Sequence, residues 1–146
     1  MARLLRHKIL LIIVIGIAVY ALNNPSGRFG WTRKGLVVYN RIPVVFFDCS
    51  IDHDGRLYLE ADLSQPVNFN YWFENHLSGN HTDGPIPLII GTGFGDSLDL
   101  NPDRNQLRKC RNRRFEPTLY PSREAIARFE ELRSAEKKCV LLLKVK

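Results

Sequence analysis

Acidic residues are missing from the first third of this chain: no Asp or Glu occurs before Asp48. The same stretch holds Arg3, Arg6, Lys8, Arg28, Arg33 and Lys34, six positive side chains within the first 35 residues. The whole chain has 146 residues, with 21 Lys+Arg against 15 Asp+Glu. Setting those six aside leaves 15 against 15, so the remainder is neutral. The net charge of +6 is therefore a property of the N-terminal segment, which argues against a nucleic-acid-binding domain.

Cysteine is scarce. Cys49, Cys110 and Cys139 form no CxxC, and no His stands near them at metal-ligand spacing, which excludes the common zinc patterns. Buried free thiols are the expectation, although export would permit one disulfide and leave an odd thiol. Gly-x-Ser-x-Gly, GxGxxG and the Gly-Lys-Ser/Thr of a phosphate loop are all absent, so the recognisable nucleophile and nucleotide motifs are excluded. His53, His76 and His81 pair with no Ser or Cys in such a motif. No catalytic set, cofactor or metal site is expected. A single Met, no low-complexity tract and no internal repeat exclude long disorder and repeat architectures.

What is present begins with an apolar run, Ile9 to Leu22. Fourteen residues span about 21 Å as a helix, against a hydrocarbon core of roughly 30 Å. Extension through Leu4, Leu5, His7 and Lys8, with basic side chains reaching the headgroups, would lengthen it. The run also fits the apolar region of a signal peptide, with Val19 and Ala21 before a cut ahead of Leu22. A buried core helix fits least, because the run has no polar face. Residues 1–22 are read as a membrane anchor or signal segment, 23–35 as linker and 36–146 as one domain. The slight charge balance favours a single-pass protein with its domain on the non-cytoplasmic side; cleavage after Ala21 would give an exported or periplasmic one. The sequon Asn80-His81-Thr82 matters only in a eukaryotic secretory compartment.

The domain reads as α/β with a mixed sheet and helices packed on it. Pro43 to Cys49 is a strand candidate, Asp52-His53-Asp54-Gly55 a turn, and Arg56 to Glu60 a second strand completing a hairpin. Val67 to Leu77 is ambiguous, and Ser78 to Pro87 is a loop. Leu88-Ile89-Ile90 is a strand running into Gly91-Thr92-Gly93-Phe94-Gly95. Asn101-Pro102 opens a helix reaching about Arg113, followed by a strand from Phe115 to Leu119. Ser122 caps a helix ending near Lys138, with a stripe of Ala125, Ile126, Phe129 and Leu132. Cys139 to Val145 is a buried strand. This strand–helix–strand–helix–strand order favours parallel pairing.

The Ile89-Ile90-Gly91-Thr92-Gly93 strand exit, Ala125 with Phe129, and the closing strand Val140 to Val145 resemble a small α/β family. That family includes a mitochondrial respiratory complex I assembly factor and an adipogenesis-associated protein. The resemblance implies a compact mixed-sheet domain acting as an assembly or interaction module, with no assigned catalytic residues. This chain departs from the family at Glu130, where Asn is usual, and in its N-terminal hydrophobic segment.

Two candidate sites follow. Gly91, Thr92, Gly93, Phe94 and Gly95 could cradle an anion or small molecule through backbone N–H groups; glycines making a sharp strand exit are the plainer reading. Arg104, Arg108, Lys109 and Arg111, with Arg113 and Arg114, make a basic helix whose sharp reading is nucleic acid or phospholipid and whose plain reading is a solvated face; the neutral domain charge disfavours nucleic acid and leaves an anionic membrane surface. Asp96, Asp99 and Asp103 match no calcium loop and read as caps. Tyr71-Trp72-Phe73 lines either a core or a partner surface. The expected function is a membrane-tethered, non-enzymatic interaction module, with the membrane bound through Ile9–Leu22 and a protein partner. The alternative is a ligand-binding domain using the Gly91–Gly95 loop.

Overall fold

The computed structural model describes residues 2–77, 84–95 and 99–145, the first seven of them by backbone alone. The apolar N-terminal run lies within helix α1, Ala2–Asn23. Three short strands follow, β1 (Phe29–Arg33), β2 (Leu36–Tyr39) and β3 (Ile42–Val45), in a three-stranded antiparallel sheet. The stretch expected as linker thus contains β1. Its turn residues delimit the strand and do not continue through it. Asn40 and Arg41 turn the β2–β3 hairpin with φ of 49° and 65°, the paired left-handed conformation that two-residue hairpins need.

The second sheet has five strands in the order β5-β4-β8-β6-β7. They are β4 (Asp48–Ile51), β5 (Leu57–Glu60), β6 (Ile86–Gly91), β7 (Phe115–Tyr120) and β8 (Val140–Leu143). β6 pairs in parallel with both β7 and β8, whereas β4 runs antiparallel to β8 and β5. The expected parallel C-terminal half and β4–β5 hairpin are both present. The Pro43–Cys49 run is not one strand, however. It breaks at Phe46 and Phe47 and passes from one sheet to the other.

Three more helices cover the five-stranded sheet. Helix α2 is Pro66–His76, α3 is Arg104–Asn112 and α4 is Ser122–Ser134. Phe69, Trp72, Phe73 and Leu77 from the α2 region pack with Cys110 and Leu107 of α3 against Leu88, Ile90, Val140 and Leu142. On the opposite face Ala125, Ile126, Phe129 and Leu132 of α4 pack with Ile89, Leu141 and Leu143, and the same cluster takes in Phe29, Val37, Tyr39 and Val44 of the small sheet. The central strand β8 is buried along its whole length, which explains its unbroken apolar run.

Two helix starts differ from expectation. α3 is capped by Asp103, whose carboxylate accepts the Gln106 N–H at 2.8 Å, while the Gln106 side chain accepts the Asp103 N–H at 2.8 Å. This reciprocal box satisfies two end amides, so the helix begins after Asn101-Pro102. α4 ends at Ser134, short of Lys138, and Ser122 is its first residue with Pro121 before it.

Candidate functional site

The Gly91–Gly95 turn lies at the carboxyl end of β6, between the ends of β7 and β8. Gly91 is glycine because α4 crosses close by: a Cβ there would stand 2.5 Å from Leu143 Cδ1, 3.0 Å from Ser122 Oγ and 3.2 Å from Ala125 Cβ. Gly93 has φ of 144°, and a Cβ would stand 2.8 Å from Asp99 Oδ2. Two of the turn's amides are committed. Thr92 N–H donates to the Tyr120 carbonyl at 2.9 Å, and Gly93 N–H donates to Ser122 Oγ at 3.0 Å. Ser122 Oγ in turn donates to the Lys144 carbonyl at 3.0 Å, so Ser122 ties the strand exits together instead of capping α4. Thr92 Oγ1 also donates to the Tyr120 carbonyl. Neither amide is free to cradle an anion, and the Asp99 carboxylate beside Gly93 opposes one. Gly91, Thr92 and Gly93 are buried and pack at the strand exit, Phe94 is half-buried and Gly95 exposed.

Arg104, Arg108, Lys109 and Arg111 are all exposed on α3. Arg113 is separate: its Nη2 donates to Glu74 Oε2 at 2.7 Å, and its guanidinium lies 4.5 Å from the Phe73 ring centroid. Trp72 and Phe73 are buried and Tyr71 is exposed, so that aromatic triplet is mainly core. Asp96 and the Asn80-His81-Thr82 sequon lie outside the described residues.

Sequence reasoning missed a buried polar network along β4, β5 and β8. Asp48 is fully buried; its Oδ1 accepts the Val145 N–H at 3.0 Å and its Oδ2 the Leu63 N–H at 2.8 Å. Lys144 Nζ donates to Asp48 Oδ2 at 3.2 Å and to Asp62 Oδ1 at 2.5 Å. The Lys144 hydrogen bond, helped by Ser64, pulls the Asp62 carboxyl down to about 2. For Lys144, burial disfavours the charge, yet the Asp62 hydrogen bond and the Asp48 carboxylate outweigh it and hold its pKa above the usual lysine value. Next along, Ser50 Oγ donates to Glu60 Oε1 at 2.6 Å and His76 Nε2 lies 3.5 Å from the same oxygen. Burial raises the Glu60 pKa despite Ser50 and His76. The Lys144, Asp48 and Asp62 charges answer one another, which is the pattern of a structural network. Its signal in the sequence is the charged pair Asp48 and Lys144 at the edges of apolar runs.

A cleft of about 230 Å³ between the small sheet and α4 is lined by Arg28, Tyr39, Glu130 and Arg133 among others. Glu130 is a structural fastener. Its Oε1 accepts the Phe29 N–H at 2.9 Å and ties β1 to α4. Arg133 donates to the His53 carbonyl at 2.9 Å. All three cysteines are free and buried. Burial raises each thiol, Cys110 and Cys139 to about 11. Among the described residues no group of three His, Cys, Asp or Glu side chains could hold a metal.

The N-terminal helix is joined to the domain at its C-terminal end. Asn24 is buried; its Nδ2 donates to the Tyr20 carbonyl and its Oδ1 accepts the Trp31 N–H, both at 2.9 Å. Tyr20 donates to the Arg41 carbonyl at 3.0 Å and meets Trp31 edge-to-face at 5.7 Å between centroids. Gly30 lets Asn24 approach, since a Cβ there would stand 2.0 Å from Asn24 Oδ1. Ile9 to Val19 are exposed around the whole helix. Among the described residues no helix is long and apolar enough to cross a membrane.

No protein-family model and no curated protein matches the chain. Solved structures do. The fold is similar to that of MT938, at TM-score 0.57 and 22% identity over 82% of this chain and 97% of that one. It is also similar to the conserved hypothetical protein PH1505 from Pyrococcus horikoshii OT3, at TM-score 0.57 and 21% identity over 82% and 98% of the two chains. A third, an outer membrane protein from Bartonella henselae, superposes at TM-score 0.61 with 13% identity over 84% and 97%. The likeness is one of fold, a mixed α/β domain.

Proposed function

We propose that this protein is a membrane-associated, non-enzymatic α/β interaction module, attached by α1. The observation that carries the reading is the exposure of Ile9 to Val19 on every side of α1, with its C-terminal end clamped to the domain by Asn24 and Tyr20. An apolar run exposed on every side from Ile9 to Val19 favours lipid. Its ten Ile, Leu and Val residues between Ile9 and Leu22 supply roughly 3–6 kcal/mol toward a bilayer interior. The run is short for the hydrocarbon core. The family resemblance and the commitment of the Thr92 and Gly93 amides support an assembly role over ligand chemistry.

Fractionation of cells expressing the full chain tests this. The protein is expected to stay with membranes through an alkaline carbonate wash, and a variant with Ile13→Asp and Ile17→Asp is expected to leave them. Release of the unaltered protein by the wash would refute the anchor. Chemical crosslinking in intact membranes then tests the interaction role, with a stoichiometric partner expected.

A further inference from the structure

The outer face of the three-stranded sheet carries exposed apolar side chains along β3 and the turn after it. Leu36 pairs with Val45 and Val38 with Pro43. Strand alternation puts these four on the side away from Val37, Tyr39 and Val44, which join the core; on that side Pro43 and Val45 are exposed, Leu36 is half-buried and Val38 is buried. Trp31, in the irregularity between Phe29 and Thr32, is 46% exposed. Past β3 the chain turns through Phe46 and Phe47, 73% and 51% exposed. Phe46 holds φ of 64°, a left-handed backbone that a bulky side chain adopts only under constraint. This constrained turn keeps two aromatic rings outside the core.

The three strands carry basic side chains and no acid of their own, although Glu130 of α4 reaches β1 at the Phe29 N–H. Residues 1–47, which include α1 and all of β1–β3, contain no acid, and Arg28, Arg33, Lys34 and Arg41 surround the sheet strands in sequence. A contiguous apolar patch marks an interaction surface. Aromatic and aliphatic side chains interleaved with cations alone match the headgroup boundary of an anionic bilayer. The patch is joined to α1 through the Tyr20–Trp31 contact.

We propose that the outer face of the β1–β3 sheet, with Phe46 and Phe47 at its end, rests on anionic phospholipid at the bilayer surface. The inference rests on the reading of α1 as the anchor and adds an orientation to it. The small sheet and α4 share one face of the five-stranded sheet, while α2 and α3 cover the other. The platform therefore faces lipid, and the exposed row Arg104, Arg108, Lys109 and Arg111 of α3 points toward the aqueous side. The basic helix is then available to a partner and is not the lipid contact.

The test uses the full chain in nanodiscs made with acyl-brominated phosphatidylcholine, with or without phosphatidylserine. Phe47→Trp is placed in a Trp31→Phe background; Trp72, fully buried, is the constant reference. The indole at position 47 is expected to be quenched, more strongly with phosphatidylserine. Arg33→Glu with Lys34→Glu is expected to abolish that quenching, and Arg108→Glu with Lys109→Glu to leave it unchanged. Protein retained on the discs with no quenching at position 47 would overturn the platform and leave the anchor standing. Protein that does not associate with discs would overturn both. An emission shift that follows protein concentration instead of lipid would overturn the platform in favour of a second copy of the chain.

Discussion

Lys144→Met is expected to destabilise the domain by about 3 kcal/mol. The Lys144 ammonium stands against the fully buried Asp48 carboxylate, at 3.2 Å, and it also bonds Asp62 at 2.5 Å. Breaking a buried pair by removing one partner costs about 3–5 kcal/mol, because the remaining charge is left uncompensated. Two features pull the figure to the lower end. Asp48 keeps two backbone donors, Leu63 and Val145, and Asp62 is exposed enough to find water. Asp48→Asn on top of Lys144→Met removes the orphaned charge and is expected to restore about 1–2 kcal/mol. The recovery is partial because the amide NH₂ replaces one acceptor oxygen. Urea unfolding of the full chain in neutral detergent, followed by the buried Trp72, measures both values. At about 3 °C per kcal/mol for a domain near this size, the single variant melts about 10 °C lower. A loss under 1 kcal/mol for Lys144→Met would refute the assignment of Asp48 as a buried ion, as would a double variant less stable than the single one.

Further outcomes follow from the same structure. The Asp62 carboxyl is depressed to about 2, so its stabilising share is present above the ordinary Asp range near 4 and lost as pH falls from there through about 2; Asp62→Asn should flatten acid unfolding in that window. The Lys144 pKa is raised, so its share is complete below the usual lysine value and lost as pH climbs beyond it, an alkaline transition that Lys144→Met should lack. A thiol reagent should modify no cysteine in the native chain and all three after denaturation, because burial holds every thiol in its neutral form. Gly91→Ala should cost about 1–3 kcal/mol, since its Cβ meets Leu143, Ser122 and Ala125 at once; thermal-shift screening with nucleotides and phosphate should show no stabilisation.

The C-terminal half was readable because each of its signals has a local cause. The apolar run of β8 is buried on both faces, and the α4 stripe repeats at helical spacing. The helix α2 was also within reach. Pro66 stands at its start, and Phe69, Trp72, Phe73 and Leu77 follow a helical spacing, but the alternation of Val67, Phe69 and Tyr71 competes with it. The break at Phe46 and Phe47 was not readable, because β-branched and aromatic composition favours a strand regardless of which sheet receives it. Asp103 and Gln106 form a legible box that the neighbouring Asn101-Pro102 pair obscured. The glycine turn illustrates a different limit. Gly-Thr-Gly is compatible with an anion cradle and with a tight strand exit, and only the bonds from Thr92 to Tyr120 and from Gly93 to Ser122 separate them. The Asp48–Lys144 pair is 96 residues apart in sequence, so no local pattern could join it.

Burial of α1 in lipid is the central claim, and depth measurement tests it most directly. Since the three native thiols are buried, Ile15→Cys offers a single reactive position for a nitroxide label on the full chain reconstituted in liposomes. Ile15 is in the middle of the apolar run and exposed to its surroundings in the isolated chain. A helix buried in lipid predicts a label far more accessible to dissolved oxygen than to a water-soluble nickel relaxant. The opposite ratio, water access at position 15, would contradict it.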